Sequence, residues 1–158
     1  CGEIAGTEYR SEAEREFWRR VCEGTGIAGP GDSGIYGDTV SWQRLSGTAS
    51  HYGESYNGRP LGCGKVGLAA AYGGQADGIY RSSDPTIAAS AWRSDGSRAY
   101  PCGTVLRLSG PKGMVVVVVQ DACPGCAWTD IDLSEAGFQL VCGPLSIGRC
   151  AVEIERIQ

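Results

Sequence analysis

Five consecutive valines, Val115 to Val119, stand between Met114 and Gln120. A strand with one wet face alternates apolar and polar side chains, so this unbroken run predicts a strand buried on both faces, as in a closed barrel. The residues before it, "GTVLRLS" (Gly103 to Ser109), form its hairpin partner across Ser109-Gly-Pro-Lys-Gly113. "GTASHYG" (Gly47 to Gly53) and "TIAASAW" (Thr86 to Trp92) are further strand candidates, and "AVEIERI" (Ala151 to Ile157) alternates as a closing strand. Asp132 to Val141 reads as a short helix with Asp132 or Ser134 as its cap. Many short strands with one or two small helices predict a mainly β chain organised as a barrel.

The 158 residues suit one domain with an appendage. With 42% hydrophobic and 20% charged residues the composition is that of an ordinary globular protein. The longest apolar run, Met114 to Val119, is far too short to span a bilayer as a helix. A net charge of −4 without a basic stripe leaves nothing to displace counterions from a phosphate backbone, so no nucleic-acid partner is expected.

Eight cysteines, an even number, point to disulfides formed in an oxidising compartment. Zinc is the competing use, but Cys123-Pro-Gly-Cys126 is the only CxxC and His51 the only histidine, so no metal and no cofactor are expected. A redox CxxC precedes a helix in a βαβ setting, which this sequence lacks. The sequence opens on Cys1 without a methionine, as though a secretory signal had been removed, and extracellular localisation is the expectation.

Residues 1–45 read as an extension to a barrel domain at 46–158. Within it, "SEAEREFWRRVC" (Ser11 to Cys22) is an amphipathic helix with a Ser11/Glu14 capping box and a shared face of Ala13, Phe17 and Val21. Gly24 to Asp38 is a glycine-rich connector in which no lysine follows at the spacing of a phosphate-binding loop.

Four segments in order, "GTASHYG", "YPCGTVLRLSG", "VVVVVQDACPGC" and "DIDLSEAGF", resemble the double-psi β-barrel group that holds rare lipoprotein A, expansin catalytic-type domains and barwin-like proteins. The resemblance covers residues 46–157 and implies a six-stranded double-psi β-barrel with short helices, stapled by disulfides. It implies a Cys63–Cys102 bridge, because small secreted relatives carry cysteines at matching places. Cys123–Cys126 is then a local staple and Cys142–Cys150 closes a short loop, which leaves Cys1–Cys22. Rare lipoprotein A relatives also give Cys1 a second reading, as a lipidated anchor.

The resemblance also supplies candidate chemistry. Glycosidic cleavage uses a protonated carboxyl and a second carboxylate, and Asp121 and Asp132 match the functional aspartates of rare lipoprotein A transglycosylases and of expansins with their endoglucanase relatives, respectively. Each has a structural reading beside it: Asp132 as a helix cap with a lowered pKa, Asp121 as a brace for the Cys123 turn. Two departures weigh against catalysis. Ser90 stands where the transglycosylases carry histidine, and "HYGESY" offers only a displaced Glu54 as base.

Binding asks for less than catalysis. Thr48, His51, Tyr52, Glu54, Tyr56, Trp92, Tyr100 and Trp128 are candidates to line a groove in which sugar rings stack on aromatic faces. The expected partner is a cell-wall glycan, peptidoglycan or a plant-type β-glucan. Three function classes stand: a wall-polysaccharide binder or remodeller, a barwin or papain-inhibitor type protein, and a structural subunit that self-associates or docks a protein partner through its amino-terminal segment.

Overall fold

The computed structural model describes residues 44–158. The expected Ser11–Cys22 helix, the glycine-rich connector and the Cys1–Cys22 bridge fall outside them. Six strands, β1 (Arg44–Tyr52), β2 (Ile87–Ala91), β3 (Val105–Ser109), β4 (Met114–Cys123), β5 (Asp130–Ser134) and β6 (Cys150–Arg156), close into a barrel in the order β1-β5-β2-β4-β3-β6. β1 with β5 and β2 with β4 are parallel pairs, and the other four contacts around the ring are antiparallel.

Alternation along each strand fills the interior. Leu106 and Leu108 of β3, Val115, Val117 and Val119 of β4, Ile131 and Leu133 of β5, and Val152 and Ile154 of β6 form one buried cluster with Ala49 and Ala88. Each buried aliphatic side chain of this size contributes about 1.5–3 kcal/mol. One helix, α1 (Glu135–Val141), adds Phe138 and Val141 to this cluster.

The valine strand is covered outside as well, which explains its lack of alternation. Val118 packs with Val105, Ala69 and Ile157, joined by Leu68 and Tyr72 of a 3₁₀ helix, Gly67–Tyr72. That helix belongs to the long connection from β1 to β2, which wraps the barrel's outer surface. Three disulfides staple the shell: Cys63–Cys102, Cys123–Cys126 and Cys142–Cys150.

One expectation is corrected. Asp132 does not begin a helix; it lies within β5, whose pattern of buried Ile131 and Leu133 is that of a strand. The cap is Ser134, whose Oγ accepts from the Gly137 N–H at 3.2 Å and donates to the Asp84 carbonyl at 2.6 Å.

Candidate functional site

The outer surface of β1, β5, β2 and β4 carries the acidic side chains. Ala49, Ile131 and Ala88 face the core, so Ser50, Asp132 and Ala89 face outward, and the register places them in one row: Ser50 opposite Asp132, and Asp132 opposite Ala89. Asp121 joins the row through an irregularity. Ala88 pairs with Val119 but Ala89 pairs with Asp121, so Gln120 is an extra residue in β4. A strand without it would present the next residue on the other face; the bulge re-aims Asp121 to the side of Asp132.

Gln120 is buried, and its amide nitrogen donates to the Thr86 carbonyl at 3.1 Å, the Thr86 hydroxyl at 3.2 Å and the Val118 carbonyl at 3.3 Å. Thr86 is tied in turn to buried Asp84, to which it donates from its backbone N–H at 2.9 Å and its hydroxyl at 2.7 Å. The bulge therefore rests on a satisfied polar network below the surface.

Asp121 is held by three donors. Tyr52 donates its hydroxyl to Oδ2 at 2.8 Å, while the N–H groups of Gly62 and Ala122 donate to Oδ1 at 2.6 and 2.9 Å. A carboxylate offers about four lone-pair positions, so one remains. Burial, then the charge and hydrogen bond of Asp121, push the Tyr52 hydroxyl far above its ordinary pKa, which fixes it as a donor. Tyr52 stacks at 4.3 Å on Tyr80, whose hydroxyl donates to the Tyr52 carbonyl, and meets Tyr56 edge-on at 5.5 Å.

Asp132 is less engaged. Ser50 donates to its Oδ1 at 2.8 Å. Burial pushes its carboxyl above the usual aspartate range and the Asp121 charge adds to this, while Ser50, His51 and Arg149 act the other way. The lowered pKa expected of a helix cap is thus reversed, because the residue sits half-buried in a strand.

Of the other candidates, Thr48 shares the outward face of β1 two residues from Ser50, opposite Asp130. Glu54 and Tyr56 lie in the 3₁₀ turn after β1, and Tyr56 is 43% exposed with Arg59 over its ring. His51 points the other way: its ring meets Phe138 at 4.6 Å and its Nε2 lies 3.0 Å from the Leu145 carbonyl. Trp92 follows β2 beneath Arg98, and Trp128 stands exposed on the β4–β5 turn beside Arg93. Arg93 donates to the Pro124 and Cys126 carbonyls and so ties the two tryptophan segments together, away from Tyr52. Ser90 is buried with its hydroxyl on the Tyr100 carbonyl. Among the described residues no three histidine, cysteine or acidic side chains converge as metal ligands do.

Sequence reasoning passed over Ser50, Gly62, Tyr80 and Gln120. Alternation with Tyr52 could have found Ser50; the others reach the site through a loop or a bulge that has no periodic signal.

No protein-family model and no curated protein matches the sequence. Solved structures do. An expansin from Clavibacter michiganensis aligns at 26% identity and a TM-score of 0.51, over 73% of this chain and 51% of its own. The same expansin in a substituted form, in complex with cellohexaose, aligns at 25% and 0.50 over the same shares. A papain inhibitor from Streptomyces aligns at 21% and 0.50, over 73% of this chain and 96% of its own. This chain has the double-psi β-barrel fold. The double-psi barrel spans about half the length of the expansin structures it matches, and with the inhibitor it shares a fold.

Proposed function

We propose that this barrel is an extracellular, expansin-like protein that binds a wall polysaccharide of the β-glucan class and loosens it without hydrolysis. The observation that carries this reading is the shared outward row of Ser50, Asp132, Ala89 and Asp121, with Tyr52 fixed on Asp121. Ala89 lies covered between the two acids, and Tyr56, 43% exposed with Arg59 over one face of its ring, offers an apolar surface beside the row. Sugar hydroxyls donate to the free oxygen of Asp132, and a sugar ring packs on Tyr56. The cellohexaose complex of the similar expansin supports a β-glucan as the first ligand to test. Three disulfides support an oxidising compartment.

Loosening is favoured over cutting by Asp121. The two carboxyl-bearing strands are separated by one other, about 10 Å between backbones. An inverting base must take a proton from water, yet three of the Asp121 acceptor positions are occupied.

The test is depletion of the protein from solution by cellulose and by peptidoglycan, with supernatants read by mass spectrometry. Saturable depletion without released sugars, weakened in Asp132→Asn and Tyr56→Ala, is the expected result. Oligosaccharides that vanish in Asp132→Asn would make the chain an enzyme, and no depletion by any glycan would sink the proposal.

A further inference from the structure

The other arc of the barrel carries a recess of about 420 Å³ lined by Arg44, Arg107, Ser109, Met114, Glu153 and Glu155. That volume is within the range of small-molecule sites. It shares no residue with the glycan face, and it is built by the same outward alternation. Arg44, Glu155 and Arg107 lie directly across from one another on β1, β6 and β3, and Glu153, Ser109 and Met114 form the next row on β6, β3 and β4. Ser46 and Ser109 flank Glu153, and their short side chains hollow the surface between long charged ones.

Two features of the recess are incomplete. Arg107 gives Nη1 to Glu155 at 2.9 Å, but its Nε is buried and has no hydrogen-bond partner among the described residues. A buried donor without an acceptor is costly, and the guanidinium edge that includes Nε suits a planar, two-oxygen acceptor. Met114 is 57% exposed at the rim, an apolar surface left uncovered.

Charge decides the class of ligand. Among the described residues that line it, two arginines and two glutamates cancel, so neither an anion nor a cation gains from these four side chains together. A molecule with both signs does. The geometry points to a binding site for a zwitterionic ligand, an amino acid or short peptide, whose carboxylate takes the Nε edge of Arg107 beside Arg44 while its ammonium group faces Glu153 and its carbon skeleton lies on Met114. Glu153 sits diagonally from both arginines across neighbouring strands, about 7–8 Å between backbones, a distance that long side chains and a short ligand bridge.

The experiment is a titration of the isotopically labelled protein with glycylglycine, followed by nuclear magnetic resonance at the Arg107 Nε–H and the Met114 methyl group. Saturable shifts at both probes are expected, with acetate alone and ethylammonium alone each about tenfold weaker. Arg107→Lys keeps the charge beside Glu155 but lacks the Nε donor, and it should lose about tenfold in affinity with its backbone spectrum unchanged; Glu153→Gln, on an exposed side chain, should do the same. A glycan fragment bearing a peptide stem separates the two sources of this chemistry: tighter binding than glycylglycine assigns the site to wall-borne peptide, equal binding to free peptide. Equal response to acetate and glycylglycine, or no shift at either probe, overturns the inference, whatever the glycan face does.

Discussion

Gln120 spans from β4 to Thr86 with two hydrogen bonds from a single amide nitrogen, at 3.1 and 3.2 Å. Both partners are buried. Gln120→Leu fills similar space but leaves the Thr86 oxygens with one donor fewer, and it should lower stability by about 1–3 kcal/mol in a urea titration. The same variant should loosen Asp121, seen as weaker glycan depletion than its stability loss explains at a temperature where it is fully folded. Unchanged stability would show that the bulge does not depend on this amide.

The three staples should differ in worth according to the chain they enclose. Cys63–Cys102 joins residues 39 apart, Cys142–Cys150 residues 8 apart and Cys123–Cys126 residues 3 apart. Chain-entropy arithmetic gives about 4, 2.5 and 1.5 kcal/mol in that order. Pairwise alanine replacements followed by denaturant unfolding should reproduce the ranking; a Cys123/Cys126 variant less stable than the Cys63/Cys102 variant would contradict it.

Stability should respond to pH through Asp132. A carboxyl whose pKa is raised on folding holds more protons folded than unfolded between its two values, so its contribution to stability falls as pH rises through that window. Asp132→Asn removes the cost of the buried charge and keeps an acceptor for Ser50. The variant should therefore melt above the wild type at neutral pH, with the gap closing below the ordinary aspartate value of 3.8. A gap that stays constant across the acid range would refute the assignment.

Gly47 faces the β5 entry so closely that a methyl group would meet the Thr129 carbonyl oxygen at 2.1 Å and the Ile154 Cδ1 at 2.7 Å. The first obstacle is backbone and cannot rotate away. Gly47→Ala should cost more than about 3 kcal/mol, at or beyond the usual range for overpacking, and show as a loss of soluble protein or a steep fall in melting temperature.

Much of the barrel is readable without coordinates because its strands alternate or run apolar. The valine run, its hairpin and the closing strand at residues 150–156 carry their own period; β2 falls within the stretch expected for it, and β1 overlaps its expected stretch but begins three residues earlier, at Arg44. β5 escaped because its five residues abut α1 with no turn between, and Ser134 serves as the last strand residue and as the helix cap at once. The carboxyl pair is legible as residue types at Asp121 and Asp132, but their common face is not. It depends on one extra residue at Gln120, which inverts the parity that counting along β4 would give. His51 shows the opposite failure: one residue along β1 from Tyr52, it belongs to the other side of the sheet.

The barrel's closing stave is β6, held between β1 and β3. Until residues 150–156 arrive, both neighbours keep an open edge of unpaired backbone groups, and the ring cannot shut. The pairing of β1 with β5 and β6 joins strands distant in sequence, and such non-local contacts make folding slow relative to helical proteins of equal size. A polypeptide emerging amino end first stays threadable through a narrow channel until β6 has been delivered, and only then locks.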